Sequence, residues 1–130
     1  MLIVTAGIIK KGNKILITQR KDEKNQALKW EFPGGKLEED ETPKECLRRE
    51  IMEELDIKIE IEDIYEVVYH KYENVTILLL CYMAKYILGN PRAIECNDFK
   101  WIEIEELKDY DLAEADKKIR NKLLGSGLNN

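Results

Sequence analysis

Apolar and β-branched residues in the first third of the chain are grouped into short runs that predict β-strands. Leu2 to Lys10 and Lys14 to Gln19 are two such runs, and Lys11-Gly12-Asn13 separates them as the turn of a hairpin would. Residues 20–29 are mostly polar and are predicted to form a loop. After this loop, Trp30-Glu31-Phe32 alternates apolar and polar positions briefly. We therefore expect two long strands and one short strand before residue 33.

A helix is predicted to follow a break in the chain at Pro33-Gly34-Gly35. Thr42 is a favourable N-cap residue, and Pro43 suits the first helical position. Glu45 lies three residues after the cap, as in a capping box. The helix is therefore expected to begin at Pro43. Its predicted buried stripe consists of Leu47, Ile51 and Leu55.

The rest of the chain is predicted to contain further strands and one closing helix. The predicted strands are Lys58 to Glu62, Tyr65 to Tyr72, Val75 to Leu88 and Phe99 to Ile104, and the helix is Ala113 to Leu124. Strands and helices do not alternate regularly, so the pattern indicates an α+β fold rather than a doubly wound parallel sheet. Residues 1–124 are expected to form a single domain, and residues 125–130 a flexible tail.

Carboxylates are concentrated between Gly35 and Ile57. At about 100° per helical residue, Glu50, Glu53 and Glu54 share one face beside the apolar stripe. Like charges at such spacing destabilise a helix unless a cation lies among them. Oxygen ligands of this kind suit a hard cation, Mg²⁺ or Mn²⁺. The spacing alone favours a solvated acidic helix face that binds nothing.

The same region resembles the Nudix box, which is the signature of the Nudix hydrolases. Its fixed residues are Gly35, Glu41 after five further residues, Arg49-Glu50 after seven more, and then Ile51, Glu53-Glu54 and Ile57. One position differs, because Asp56 replaces the second glycine of the box. That glycine ends the helix with a positive φ, which Asp also tolerates. The resemblance implies the Nudix fold, in which a mixed β-sheet lies between helices.

The resemblance also implies roles for individual residues. The implied metal ligands are the Gly35 carbonyl and the carboxylates of Glu50, Glu53, Glu54 and Glu95. Glu95 lies six residues before Trp101, and MutT-like enzymes bring a loop glutamate from a similar position to the metal. The alternative is that Glu95 is one more exposed glutamate without a role in the site. Glu41 and Arg49 are expected to orient this group through a salt bridge. The implied catalytic residues are Arg49, Glu50, Glu53 and Glu95, with Glu50 and Glu95 as alternative general bases.

Two segments before the box are Ile17-Thr18-Gln19-Arg20 and Leu28 to Lys36. They resemble the corresponding segments of MutT-type nucleoside triphosphate pyrophosphohydrolases within this family. Arg20 matches a residue near the substrate phosphates, and a surface arginine is the alternative. Asp116 matches the position that reads the base, and Phe32 is expected to line the base slot. An ionised aspartate only accepts hydrogen bonds, so cytosine and 8-oxoguanine, which offer donors, both qualify. Asp116 is also compatible with a carboxylate that stabilises a helix N-terminus, and Phe32 with plain core.

The function implied by these resemblances is Mg²⁺-dependent hydrolysis of a nucleoside triphosphate, of the 8-oxo-dGTP or CTP/dCTP type, to a monophosphate and pyrophosphate. One alternative is a Nudix pyrophosphatase that acts on ADP-ribose or a dinucleoside polyphosphate. A second is a nucleotide-sensing Nudix domain without catalysis. A third is a structural domain with an acidic helix, which would bind no divalent ion tightly.

Composition excludes several other classes of protein. Lys plus Arg total 21 and Asp plus Glu total 26, so the net charge of −5 offers no broad basic surface for a nucleic-acid polymer. The three cysteines are widely spaced and the chain has one histidine, so a disulfide framework and a zinc site are not expected. No segment approaches the roughly 20 apolar residues of a membrane span. We expect a cytoplasmic enzyme with a small nucleotide substrate, and the pattern leaves its oligomeric state open.

Overall fold

A mixed β-sheet between two helices is described by a computed structural model for residues 1–22 and 24–125. Within this part of the chain, the strands are β1 (Leu2–Lys11), β2 (Lys14–Gln19), β3 (Trp30–Glu31), β4 (Gly34–Lys36), β5 (Lys58–Lys71), β6 (Thr76–Leu88) and β7 (Asp98–Glu103). The helices are α1 (Pro43–Leu55) and α2 (Glu114–Gly125), with a 3-10 helix at Ile104–Asp109. The α+β class predicted from the sequence is therefore confirmed.

Strand β1 lies inside the sheet and changes partner along its length. It runs parallel to β6 from Leu2 to Lys10. On its other side it pairs antiparallel with β4 at Val4 to Ala6 and with β2 at Lys10 and Lys11. The strand order is β3-β2-β1-β6-β5, and β7 pairs with β2. This exchange of partners places β4, which carries the first residue of the Nudix-like spacing, inside the sheet against β1.

Alternate residues of β1 and β2 pack on opposite faces of the sheet. The core on the α2 side includes Ile8, Ile15, Ile17, Ile119 and Leu123. The core on the α1 side includes Ile9, Leu16, Leu47, Ile51 and Leu55. Because both faces of these strands are covered, their sequences read as continuous apolar runs. The predicted arrangement of a sheet between helices is confirmed.

Two predictions for the strands were wrong. Pro33-Gly34-Gly35 was expected to break the chain, but Gly34 and Gly35 begin β4. A Cβ on Gly34 would lie 1.9 Å from the Thr5 carbonyl oxygen, so only glycine allows β4 to approach β1 this closely. Strand β5 was expected to be two strands, but register shifts around Ile64 let it continue as one.

Helix ends also differ from the prediction in part. The start of α1 at Pro43 is confirmed, whereas α2 begins at Glu114 and extends through Gly125. Asp56 follows α1 with φ 57° and ψ 43°, and its N–H donates to the Met52 carbonyl oxygen at 2.9 Å. The prediction that Asp56 tolerates the positive φ of the box glycine is therefore confirmed. Its carboxylate additionally pairs with Arg92 at 3.0 Å.

The predicted tail lies, apart from Gly125, outside the residues that the structure describes. Within the described ranges, no helix is both long and apolar enough to cross a membrane.

Candidate active site

Helix α1 begins where its own side chains satisfy the exposed backbone groups of its first turn. The Thr42 hydroxyl accepts a hydrogen bond from the Glu45 N–H at 3.2 Å, and the Glu45 carboxylate accepts one from the Thr42 N–H at 2.9 Å. This capping box fixes the position of the helix along the sequence. The apolar stripe is buried against the sheet. Glu50 and Glu54 are next to this stripe on the helix, so they lie at the edge of its buried face.

Strand β4 passes close to α1, and Gly35 leaves room for the carboxylate of Glu50. A Cβ built on Gly35 would lie 2.2 Å from Glu50 Cδ. Because real side chains do not approach this closely, any larger residue would displace either the strand or the Glu50 carboxylate. The fold thus places the backbone of Gly35 next to an acidic side chain.

Arg49 connects the acidic residues of α1 with the loop before it. Its Nε and Nη2 donate to the two carboxylate oxygens of Glu41 at 3.0 and 2.8 Å. Its Nη1 lies 3.0 Å from Glu50 Oε1 and 3.2 Å from Glu53 Oε2. The Arg49 hydrogen bonds, with that from the Glu38 N–H, lower the pKa of Glu41 to about 2. Glu41 and Arg49 therefore form a bidentate ion pair that orients Glu50.

Glu54 has the opposite environment. Its side chain is turned inward, the residue is 9% exposed, and within the described residues its Oε1 has no hydrogen-bond partner. Burial, followed by the nearby charge of Glu31, raises the pKa of Glu54 to about 8. The buried Thr18 hydroxyl likewise has no hydrogen bond of standard geometry in the described part of the chain, although it is close enough to act against the rise in the pKa of Glu54. A carboxylate without a donor is costly when charged, so this position calls for a proton or a cation.

Glu50 and Glu95 complete the acidic end of the site. Burial raises the pKa of Glu50, whereas the hydrogen bond and charge of Arg49 act against this rise. Glu95 is exposed on the loop between β6 and β7. That loop is tied to α1, because the Ile94 N–H donates to the Glu54 carbonyl oxygen at 3.1 Å. Glu95 thereby faces the same space as Glu50 and Glu54.

The donor set fits a hard divalent cation. Carboxylate oxygens and a backbone carbonyl are the ligands such ions prefer, and the partnerless Glu54 oxygen is already stripped of water. As the side chains lie, no three acidic, histidine or cysteine side chains in the described ranges converge closely enough to enclose an ion. Arg49 holds Glu53 and one oxygen of Glu50 in this arrangement. Glu53 would therefore have to turn away from Arg49 to join such a site, whereas the second oxygen of Glu50 is not held by Arg49.

The rest of the cleft lining includes Arg20, Glu31, Phe32 and Asp116. Arg20 Nη1 pairs with Glu31 Oε1 at 3.1 Å, and Arg20 Nε donates to the Asn25 carbonyl oxygen at 2.7 Å. Asp116 Oδ2 accepts a hydrogen bond from the Phe32 N–H at 2.8 Å. Burial raises the pKa of Asp116 well above its ordinary value, and the charge of Glu31 adds to this. Burial also raises the pKa of Glu31, against the effect of Arg20.

A cleft of about 1320 Å³ brings most of the predicted residues together. Its lining includes Arg20, Phe32, Gly35, Glu50, Glu54, Glu95 and Asp116. Glu41, Arg49 and Glu53 are not part of this lining. Glu53 is instead 48% exposed and is turned toward Arg49. The cleft therefore joins the acidic residues of α1 and the residues around Asp116 in one continuous space.

Comparison with known proteins agrees with this arrangement. The NUDIX domain family matches residues 4–122. The chain belongs to the Nudix family. It is 35% identical over 116 residues to a CTP pyrophosphohydrolase of Escherichia coli K12, and the alignment covers 89% of this chain and 86% of the relative. It is 32% identical over 127 residues to an 8-oxo-dGTP diphosphatase of Haemophilus influenzae, covering 97% and 93%.

Solved structures show the same Nudix architecture. The solution structure of the Escherichia coli ORF135 protein superimposes with a TM-score of 0.85 at 32% identity, covering 100% of this chain and 95% of that one. The expected membership of the Nudix hydrolase family is confirmed, and the protein is an enzyme of that family. Nudix hydrolases use divalent metal ions, which suits the oxygen-rich end of the cleft.

Sequence reasoning missed several residues of this Nudix site. Glu31 and Thr18 are partners across β3 and β2, and a pattern of single strands does not reveal such a pairing. Thr5 and Cys46 contact the carbonyl groups of β4 from inside the protein. Burial raises the pKa of the Cys46 thiol, which therefore stays neutral at pH 7. The sequence signal available for Glu31 was its acidic side chain at the polar position of the short alternating segment Trp30 to Phe32.

Proposed function

We propose that this Nudix enzyme hydrolyses a nucleoside triphosphate to a nucleoside monophosphate and pyrophosphate with Mg²⁺, for which Mn²⁺ can substitute. The observation that carries the proposal is the Glu54 oxygen without a partner, beside Glu50, at the acidic end of a cleft that continues to Asp116. The named activities of the relatives support it, since both act on nucleoside triphosphates.

In this proposal, the acidic residues divide into ligands and supports. Gly35, Glu50, Glu53, Glu54 and Glu95 would hold the metal ions. A bound divalent ion supplies neutralisation of the polyphosphate charge and lowers the pKa of the attacking water. Arg49, held by Glu41, keeps one oxygen of Glu50 fixed and leaves the other available. Burial raises the pKa of Glu50, which suits a general base better than an ordinary carboxylate does, and Glu95 is the alternative base.

Arg20 is proposed to contact the substrate phosphates. It lines the same cleft as Glu54 and Asp116, and its guanidinium is already oriented by Glu31. A planar guanidinium binds phosphate oxygens through two parallel hydrogen bonds. Two lysines at the same rim, Lys21 and Lys24, add positive charge near the entrance. The charge of the cleft would thus change from negative at the metal end to positive where a polyphosphate enters.

Asp116 is proposed to read the base, with Phe32 forming part of the slot. Burial raises the pKa of Asp116 well above the ordinary value, which favours its protonated form over the ionised acceptor that the sequence suggested. A protonated carboxyl group offers one donor and one acceptor. Cytosine presents an amine donor next to a ring-nitrogen acceptor, and 8-oxoguanine presents N7–H next to O6. Guanine presents two acceptors at that edge, so it would be discriminated against.

A panel of nucleotides tests this function. Purified protein with Mg²⁺ is given dCTP, CTP, dGTP, 8-oxo-dGTP, 5-methyl-dCTP and ADP-ribose, and released pyrophosphate and AMP are measured separately. We expect pyrophosphate from 8-oxo-dGTP or from the cytidine nucleotides, and at least tenfold lower kcat/KM for dGTP. Preferential release of AMP from ADP-ribose would overturn the proposed substrate class. Nucleotide binding without hydrolysis would instead indicate a sensing domain.

A further inference from the structure

Tyr72 connects the end of β5 with the start of α2. It directly follows β5, and its N–H donates to the Val75 carbonyl oxygen at 2.8 Å across the turn to β6. Its hydroxyl oxygen accepts a hydrogen bond from the Ala115 N–H at 3.0 Å. Its ring packs edge-to-face against His70, with 4.5 Å between the ring centroids. The side chain of Tyr72 is therefore held at both ends.

The hydroxyl group of Tyr72 keeps one proton to donate. A backbone N–H can only donate, so the tyrosine oxygen is the acceptor in its hydrogen bond with Ala115. Among the described residues, this is the one hydrogen bond that the hydroxyl makes. Burial raises the pKa of Tyr72, so the proton stays on the oxygen at neutral pH. Tyr72 thus offers a neutral donor to a further partner.

This donor lies in the cleft beside Asp116. Tyr72 and Asp116 both line the cleft, and Asp116 is the residue after Ala115, which the hydroxyl contacts. The charge of Asp116 adds to the rise in the pKa of Tyr72, which is consistent with their proximity. A nucleobase that reaches Asp116 would therefore also lie near the Tyr72 hydroxyl.

The sheet provides an apolar surface for a flat ring next to these two groups. Four aliphatic side chains of β1 and β6 line the cleft, and the parallel register pairs Leu2 with Ile77 and Val4 with Leu79. Tyr72 packs in the same apolar cluster on the α2 side of the sheet. In such a site, the identity of the ring that binds is set by the few polar groups beside the apolar surface. Tyr72 and Asp116 are two groups of this kind.

The two kinds of base in the proposed function share a row of three polar groups. In cytosine, the N4 amine and the N3 acceptor are followed by the carbonyl oxygen O2. In 8-oxoguanine, O6 and N7–H are followed by the carbonyl oxygen O8. In the proposed function, Asp116 contacts the first two groups of each row.

We propose that Tyr72 is a specificity-determining residue whose hydroxyl donates a hydrogen bond to the third group of this row, O2 of cytosine or O8 of 8-oxoguanine. This inference rests on the proposed function. Guanine has C8–H where 8-oxoguanine has O8, so this hydrogen bond would be missing with dGTP. The contact would add to the discrimination by Asp116, because each residue reads a different part of the row.

Replacement of the third oxygen by sulfur tests this contact. Sulfur accepts hydrogen bonds weakly, whereas the two groups that Asp116 contacts are retained in 2-thio-dCTP and in the thione form of 8-thio-dGTP. Pyrophosphate release with Mg²⁺ gives kcat/KM for dCTP, 8-oxo-dGTP and these two analogues with wild type, Tyr72→Phe and Tyr82→Phe. Phenylalanine keeps the ring and removes the donor. Tyr82→Phe is the matched control, because Tyr82 is 8% exposed but packs in the core on the α1 side.

The oxygen-to-sulfur ratio of kcat/KM is compared for the base that wild type prefers. A hydrogen bond between uncharged groups corresponds to about three- to tenfold, and we expect a wild-type ratio in this range. In Tyr72→Phe the ratio should fall below about twofold, whereas Tyr82→Phe should keep the wild-type ratio. Loss of the Ala115 contact at the start of α2 would lower kcat/KM for both substrates equally, so a merely structural role leaves the ratio unchanged.

A wild-type ratio below about twofold overturns the inference whatever the variants show, and an unchanged ratio in Tyr72→Phe also overturns it. Thermal unfolding establishes that both variants are folded at the assay temperature. If wild type releases pyrophosphate from neither dCTP nor 8-oxo-dGTP, the proposed function itself fails. An active wild type whose ratio persists in Tyr72→Phe removes only this inference.

Discussion

Replacing Glu54 by glutamine should stabilise the metal-free protein at alkaline pH, although it removes a proposed metal ligand. The residue is 9% exposed, and Oε1 has no partner among the described residues. Burial raises its pKa from 4.5 to about 8, so the folded protein binds a proton here more tightly than the unfolded chain does. Stability from this group is therefore fully present below pH 4.5 and is lost as the pH rises to about 8.

The size of the effect follows from the two pKa values of Glu54. At about 1.36 kcal/mol per pH unit, the free energy of unfolding should fall by about 4 kcal/mol between pH 5 and pH 9 because of this side chain alone. Glutamine is neutral throughout this range. The free energy of unfolding of Glu54→Gln, relative to that of wild type, should therefore increase by about 4 kcal/mol between pH 5 and pH 9.

Urea unfolding with a chelator at pH 5, 7 and 9, followed by tryptophan fluorescence, measures this difference. Other titrating groups contribute to both proteins, and any constant effect of the new amide cancels in the pH dependence. Glu53→Gln is the matched control, since Glu53 is 48% exposed and paired with Arg49. We expect its difference from wild type to change by less than about 1 kcal/mol. A similarly flat profile for Glu54→Gln would refute the assignment of Glu54 as a buried, unpartnered carboxyl group.

Addition of Mg²⁺ to the same samples extends the test. An ion that binds only the folded protein, and whose free concentration is about 100 times its Kd, stabilises that protein by about 2.7 kcal/mol. Wild type should gain this stability at pH 9, whereas Glu54→Gln should gain little. Equal stabilisation of both proteins would place the ion away from Glu54.

Three further predictions concern the cleft. Gly35→Ala should lower pyrophosphate release at least 100-fold, because the added Cβ would lie 2.2 Å from Glu50 Cδ. The circular dichroism spectrum of this variant should remain native, and near-normal turnover would contradict the prediction. Arg49→Lys should lower kcat about 10–100-fold, because lysine cannot form the bidentate pair with Glu41, and steady-state kinetics would detect it. Asp116→Asn should have a kcat/KM for the preferred substrate within tenfold of the wild-type value, because an amide retains a donor and an acceptor. Asp116→Ala should lose the discrimination against dGTP.

Local chemistry explains which parts of the fold could be predicted. The capping box at Thr42 is formed by residues three apart, so its sequence signal is complete by itself. The face shared by Glu50 and Glu54 follows from the helical period, and both line the cleft. Glu53 lies on the same stretch of helix but is turned toward Arg49, which the period alone does not reveal.

Long-range pairing explains what the sequence could not provide. The position of Glu31 next to Thr18 depends on the register between β3 and β2. The contact of Thr5 with Gly35 depends on how β1 changes partner along its length. Strand β5 likewise continues past its polar residues only because register shifts accommodate them against β6. None of these arrangements has a signal within a window of neighbouring residues.

Glu41 and Glu54 show why the spacing of carboxylates does not by itself assign their roles. Both belong to the same sequence pattern, but Arg49 and a backbone N–H satisfy Glu41 and lower its pKa to about 2. Glu54 is buried with an oxygen that nothing in the described residues satisfies, and its pKa rises to about 8. A carboxylate with its donors in place supports the structure around it, whereas one without donors lowers the stability of the metal-free protein. Below about pH 8 a proton can complete the environment of this group, and a cation would have to displace that proton, so burial singles out Glu54 among these carboxylates independently of the family signature.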